Sequence, residues 1–227
     1  MIINWGDAPF KAFITVTYPN GTCTVSGNGQ TYTHSGGGTT TFTVKKKGTY
    51  TVNGVGRDGK GTGSKSVTIT EKKQTSSVSL SYQYTLYASN TAYVTFVGTS
   101  HKNDNYGGAS YNTSTLALEA RSGWGGSSYA IISTASAIDV TDYKTITFTL
   151  SSFSSNGTAK VGIASSSLSR TFATSASPTS ATTVTVSLAS ITGSYYPTMY
   201  VYGMHEEGFD YPAQDATMRV SKIVLST

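Results

Sequence analysis

A chain of 227 residues is long enough for one large β-domain or two small ones, and with only 12% charged residues, the gap filled by Thr, Ser, Gly and Tyr, it has the composition of an all-β protein with neutral polar surfaces. The net charge is +5, and a single cysteine excludes an intrachain disulfide, so stability has to come from buried cores. No window sustains a helical period or holds the ~18 apolar residues of a membrane span, so neither a helical bundle nor membrane insertion is expected.

The opening MIINWGDAPF has no basic stretch followed by a long apolar run. It does not read as a signal peptide, so the protein is expected to be made in the cytoplasm without one and either to stay there or to leave by assembly into a particle and lysis. Residues 1–10 form a leader in which Trp5 and Phe10 either close the base of the next domain or dock into a larger assembly. The excess charge lies early: residues 1–74 hold nine Lys/Arg against three Asp/Glu, and residues 75–227 hold seven against eight. Lys45-Lys46-Lys47 precedes Gly48 and reads as a solvated turn, so no nucleic-acid partner is expected.

Residues 11–74 read as a small immunoglobulin-like β-sandwich. Ile14, Val16 and Tyr18 alternate with Thr15 and Thr17, and Pro19-Asn20-Gly21 and Gly27-Asn28-Gly29 are turn signals. Cys23 with Val25, Phe42 with Val44, Tyr50 with Val52, and Val67 with Ile69 mark further strands. Cys23 reads as a small buried hydrophobe. Gly54-Val55-Gly56-Arg57-Asp58-Gly59 spells a nucleotide-binding pattern, but a strand follows it, not the required helix, so a hairpin loop is expected. Residues 71–79, EKKQTSSVS, are polar and aperiodic and read as the junction between domains.

Residues 75–227 read as a jelly-roll β-sandwich. Tyr82, Tyr84 and Leu86 open it. Polar loops follow at 101–111, with Tyr106 and Tyr111, and at 122–128, around Trp124. The stretch Ile138–Leu150 organises this half: Asp139–Asp142 is a turn, and Ile146, Phe148 and Leu150 then alternate with threonines. Its expected partners are residues 160–164, 182–188, 198–202 and 218–225. Along the strand that contains the third of these, Tyr196, Thr198, Tyr200 and Tyr202 share one face and Met199 and Val201 the other. If the latter pair faces the core, a row of tyrosines lies on an outer sheet surface; the alternative is a core or subunit-interface row. Tyrosine rings stack on sugars and their hydroxyls bond to them.

Catalytic patterns are weak. His34, His101 and His205 are far apart, and His205-Glu206-Glu207-Gly208-Phe209 ends in Phe where a metal-binding motif needs His. Glu119, Glu206 and Glu207 qualify as hydrolytic acids by residue type alone, since nothing in their spacing selects them. No enzyme activity, cofactor or metal is expected. The glycan-face candidates are Trp124, Tyr196, Tyr200 and Tyr202, with His205 and Glu206 as polar neighbours and Tyr106 and Tyr111 as second choices.

The segments PFKAFITVTYPNGTCTVSGNGQTYT (9–33), TFTVKKKGTYTVNGV (41–55) and KSVTITEKKQTSSVSLSYQYTLY (65–87) resemble the immunoglobulin-like module, of PEGA or carboxypeptidase-regulatory type, found in structural proteins of phages and prophages of gut Firmicutes. The segments IDVTDYKTITFTLSS (138–152), KVGIASSS (160–167), VTVSLASITGSYYPTMYVYG (184–203) and RVSKIVLS (219–226) resemble jelly-roll carbohydrate-binding modules of such proteins. The resemblance implies a virion accessory protein: a head fibre, a tail fibre or a capsid decoration. Its implied place is the virion surface. Its implied partners are other capsid or tail proteins and host cell-surface glycans, and its implied state is a homo-oligomer, with a trimer favoured. The alternatives are a purely structural role on the particle and, less favoured, a carbohydrate-processing enzyme.

Overall fold

The computed structural model describes residues 9–102, 107–123, 126–204 and 214–227. It divides into two compact units, residues 1–84 with Thr227, and residues 85–226. Among the described residues every regular element is a strand.

The first unit begins with β1 (Ala12–Tyr18), β2 (Gly21–Gly27), β3 (Gln30–Ser35) and β4 (Gly38–Val44). It continues with β5 (Gly48–Gly56), β6 (Thr62–Ile69) and β7 (Thr75–Ser79). One sheet has the order β4-β1-β7 and the other runs β6-β5-β2-β3. Ile14, Val16 and Val44 from the first sheet share a core with Cys23, Val25, Tyr50 and Val52 from the second. The expected small sandwich is therefore present. Its outer faces carry cross-strand hydroxyl pairs, Thr15–Thr41 and Thr17–Thr39 at 3.0 Å and Thr49–Thr68 at 3.1 Å. These explain how a surface so poor in charge satisfies its polar groups.

The turn chemistry works as read. Asn28 and Gly29 both have positive φ, 53° and 74°, which matches the twist of the β2–β3 hairpin. The glycine-rich pattern at 54–59 closes a hairpin: the Asp58 carboxylate accepts the backbone N–H groups of Lys60 at 2.8 Å and Gly61 at 3.1 Å. Lys45, Lys46 and Lys47 are exposed between β4 and β5. Cys23 is fully buried, and burial pushes its thiol pKa up.

The junction differs from expectation. Residues 75–79 are β7, which pairs in parallel with β1, Phe13 opposite Thr75 through Thr17 opposite Ser79. The Gln74 side chain makes this return possible. Its carbonyl accepts the Thr70 N–H at 2.7 Å and its amide donates to the Thr68 carbonyl at 3.1 Å. Leu80 and Tyr82 then enter the first core. The boundary falls at 84/85 and not at 74/75, because a strand buried on one face by a single valine, Val78, shows no periodicity. Phe10 is half-buried against the same core. Trp5 lies outside the described residues.

Tyr82 has a chemical consequence. Its side chain is 1% exposed, and its hydroxyl has no hydrogen-bond partner among the described residues. Burial, then the neighbouring Cys23 and Tyr18, push its pKa up to about 12 from 10. Below pH 10 the hydroxyl is neutral in both folded and unfolded chains, and its contribution to stability is complete. Between pH 10 and 12 the unfolded chain ionises first, and stability is lost, by at most about 3 kcal/mol. Denaturant melts from pH 9 to 12 should show this loss for the first unit, and Tyr82→Phe should flatten it. An identical slope in that variant would assign the loss to other groups.

The second unit starts within β8 (Gln83–Ala88), followed by β9 (Thr91–Ala92), β10 (Phe96–Lys102), β11 (Gly108–Asn112) and β12 (Ala117–Arg121). Next come β13 (Ser127–Thr134), β14 (Ile138–Asp139), β15 (Thr145–Ser155), β16 (Thr158–Ala164) and β17 (Phe172–Ala176). It ends with β18 (Thr183–Ser187), β19 (Ser194–Met204) and β20 (Ala216–Ser226). One antiparallel sheet has the order β10-β13-β19-β16-β17, with β14 beside β19. In the other, β11 pairs with β12, β12 with β20, β20 with β15 and β15 with β18; β8 and β9 extend it. The sheets stack, β12 against β13 and β19, into the expected sandwich. Ala130, Ile132, Val161, Met199 and Val201 fill the core from one side, and Leu118, Ile146, Phe148, Met218 and Val220 from the other.

The organising stretch is two elements. Ile138–Asp139 pairs with β19, and the Asp139 carboxylate accepts the Thr141 N–H at 3.0 Å to form the expected turn. β15 then pairs with β18 and β20. Residues 160–164 and 198–202 belong to the opposite sheet and are not its partners. Alternation reveals which face of a strand is buried, and it is the same for both sheets of a sandwich.

Candidate functional site

β19 is central in its sheet, paired with β13 on one side and β16 on the other. Met199 and Val201 are fully buried in the sandwich core. Side chains alternate along a strand, so Tyr196, Thr198, Tyr200 and Tyr202 face away from that core. Antiparallel register then builds rows across four strands on this outward face. One row is His101, Tyr129, Tyr202 and Thr158; the next is Thr99, Ile131, Tyr200 and Lys160.

The aromatic members meet. The rings of His101 and Tyr129 lie 5.4 Å apart, those of Tyr129 and Tyr200 6.3 Å, and those of Tyr200 and Tyr202 6.5 Å, the last pair stacked with 18° between planes. Tyr200 covers the outward side of the sheet beside Ile131 and is 9% exposed; Tyr129 and Tyr202 are half-exposed. The result is a continuous aromatic shelf about four rings long, with a polar atom on each ring.

A loop crosses the end of the shelf. Between β16 and β17, the Ser167 hydroxyl lies 3.0 Å from that of Ser133, and the Leu168 N–H donates to Ser133 Oγ at 3.1 Å. This fastening buries Ser133 and Thr198, the next outward row. It also places Arg170 on the shelf, with its guanidinium carbon 4.9 Å from the Tyr129 ring centroid. Such a cation–π contact contributes roughly 0.5–1 kcal/mol at an exposed site. Burial raises the Tyr200 pKa, Arg170 opposes that shift, and Tyr202 and Tyr129 add to it.

The expected residues divide as follows. Tyr200 and Tyr202 are brought together on the shelf. Tyr196 shares the face but lies beyond Thr198, about 13 Å along the strand from Tyr200 at ordinary strand rise. Tyr111 is not on the shelf: it sits on β11 of the other sheet, with its ring against Gly98 of β10. Gly98 faces the core side, so Tyr111 closes the edge of the sandwich. Trp124, Tyr106, His205 and Glu206 lie outside the described residues. Tyr129, His101, Lys160 and Arg170 went unrecognised in the sequence. Tyr129 sits in YAIIS, where three apolar residues in succession hide the alternation, and Arg170 follows a serine-rich loop with no period.

Glu119 lies on the outer face of the other sheet, where it pairs with Arg121. It borders a hollow of about 460 Å³ with Tyr111, Asn112, Ser152, Thr217 and Arg219. Among the described residues no group of three or more His, Cys, Asp or Glu side chains could hold a metal ion.

No family model matches the sequence, and no curated protein matches it. Solved structures similar to the chain include one from work on the promiscuous specificity of carbohydrate-binding modules of the β-sandwich superfamily. It is 14% identical, with 96% of this chain and 97% of that one covered and a TM-score of 0.33. Another is a putative pore-forming toxin from Bacteroides vulgatus, 13% identical, with 97% and 92% covered and a TM-score of 0.20.

Proposed function

We propose that residues 85–226 form a non-catalytic glycan-binding module whose ligand lies on the shelf of His101, Tyr129, Tyr200 and Tyr202. The observation that supports this reading is the shelf itself. It is aromatic, faces away from the core and is carried by a rigid sheet. Sugars offer apolar C–H faces to rings and hydroxyls to the polar atoms at ring edges, and tyrosine and histidine supply both. A preformed platform loses little conformational entropy on binding.

The setting we propose is the surface of a phage particle, as part of a head fibre, tail fibre or decoration. The first unit acts there as the spacer joined to other virion proteins. This part rests on the resemblance of the segments 9–33, 41–55 and 138–152 to such proteins. Assembly as a trimer would place several shelves on one particle, and linked sites raise overall avidity far above that of one site.

A glycan array tests the module, and antibody labelling of purified particles tests the setting. Binding of at least one glycan class, lost on mutation of the shelf, is expected. An array with no binding, together with host adsorption unaffected by shelf mutations, would make the tyrosine row a structural interface.

A further inference from the structure

We infer that the shelf selects glycans bearing an acidic substituent, with Arg170 and Lys160 as the residues that read the charge; this rests on the glycan-module reading above. Lys160 lies directly opposite Tyr200 in the β16–β19 register and faces the same way. Arg170 is exposed and lies over the Tyr129 ring. The two cations therefore flank the Tyr129–Tyr200 ring pair from opposite sides of β19. Contact with the ring holds the guanidinium in place while leaving N–H groups available for a carboxylate or phosphate, which a guanidinium can bind in a bidentate way.

The acids of this unit within the described residues are placed or engaged elsewhere. Glu119 is on the far sheet with Arg121. Asp215 accepts hydrogen bonds from the Ser122 N–H at 2.8 Å and hydroxyl at 3.1 Å. Asp139 stands opposite Ser194, about 20 Å along β19 from Tyr200 at ordinary strand rise, and Asp142 is in the same turn. Every charged side chain described on the shelf is thus a cation.

The ligand charge has to be local, not that of a polyanion. Residues 85–226 contain seven Lys/Arg and eight Asp/Glu, a net charge of −1. Binding a nucleic-acid backbone neutralises many phosphates with many cations. Two cations on a unit of net negative charge suit one acidic group on an otherwise neutral chain. Asp104, Glu206, Glu207 and Asp210 lie outside the described residues; a shelf governed by them would reject acidic sugars.

The test is an array in which each acidic glycan is printed beside its neutral parent, with uronate and sugar-phosphate arms. The whole chain is applied at low and high salt. Acidic members should bind about tenfold more tightly than their parents, the size of one charge-assisted hydrogen bond. That preference should shrink at high salt. The arm that shows it identifies carboxylate or phosphate as the group read. In Arg170→Gln and Lys160→Gln, each with an unchanged melting temperature, the acidic-to-neutral ratio should fall toward one. Equal or weaker binding of acidic members overturns this inference and leaves the glycan reading standing. An unchanged ratio in both variants overturns the assignment to these two residues. No glycan binding at all, or binding of a single-stranded oligothymidylate instead, overturns both readings.

Discussion

The double variant Tyr129→Leu/Tyr200→Leu should fold as the parent does and lose glycan binding by about 1 kcal/mol, roughly five-fold, from the half-exposed Tyr129 ring, with the covered Tyr200 ring acting as its support. Leucine is chosen because Tyr200 lies beside Ile131 and is largely covered. A leucine there still covers the sheet, whereas alanine would expose it and confuse folding with binding. Tyr129 has a further role, since Arg170 rests on its ring. Its loss should therefore also release the guanidinium, and the two single variants should not be equivalent. Isothermal titration with an array-positive glycan and a thermal melt of each variant decide the matter. Unchanged affinity in a folded double variant would mean that the shelf is not the ligand face. On multivalent particles the same loss would be amplified in host adsorption.

Gly54→Ala should destabilise the first unit by about 3 kcal/mol, the upper part of the overpacking range. A Cβ at this position would stand 2.3 Å from Tyr82 Cε1 and 2.9 Å from Leu80 Cδ1. The Tyr82 ring is fully buried, so it cannot swing out into solvent without uncovering the core. The glycine opposite on β6, Gly63, is pressed by the Ser81 carbonyl at 2.2 Å from its own would-be Cβ. The ring thus lies across a pair of glycines whose backbones form its seat. A double-mutant cycle separates this contact from general strain: in a Tyr82→Leu background, Gly54→Ala should cost far less. An equal cost in both backgrounds would show that the steric conflict lies elsewhere. Urea denaturation followed by a probe in the first unit measures both.

Much of the fold was legible because antiparallel strands announce themselves locally. The alternation of Ile14, Val16 and Tyr18, the turn signals at 19–21 and 27–29, and the alternation of Ile146, Phe148 and Leu150 each depend only on neighbouring residues. The same alternation predicted that Met199 and Val201 would share a face opposite Tyr200 and Tyr202; the former pair is fully buried in the core, while Tyr200, at 9% exposure, is covered on the outward face as well. Two-residue periodicity thus carried the all-β class, the sandwich in each half and one edge of the shelf.

Pairing between distant strands was not legible, because a period of two is identical in either sheet of a sandwich. The positions of β16 and β19 opposite β15, and not beside it, are decided by which core they complete. β7 was hidden for a related reason: its pairing with β1 uses backbone groups that any sequence possesses. The shelf needs five separate segments, those that carry 101, 129, 160 and 200 and the loop that delivers Arg170. Each contributes one or two residues of ordinary type. Residue type and alternation were written along the chain, whereas the meeting of His101, Tyr129, Lys160, Arg170 and Tyr200 exists only because antiparallel register and a serine-fastened loop bring them onto one face.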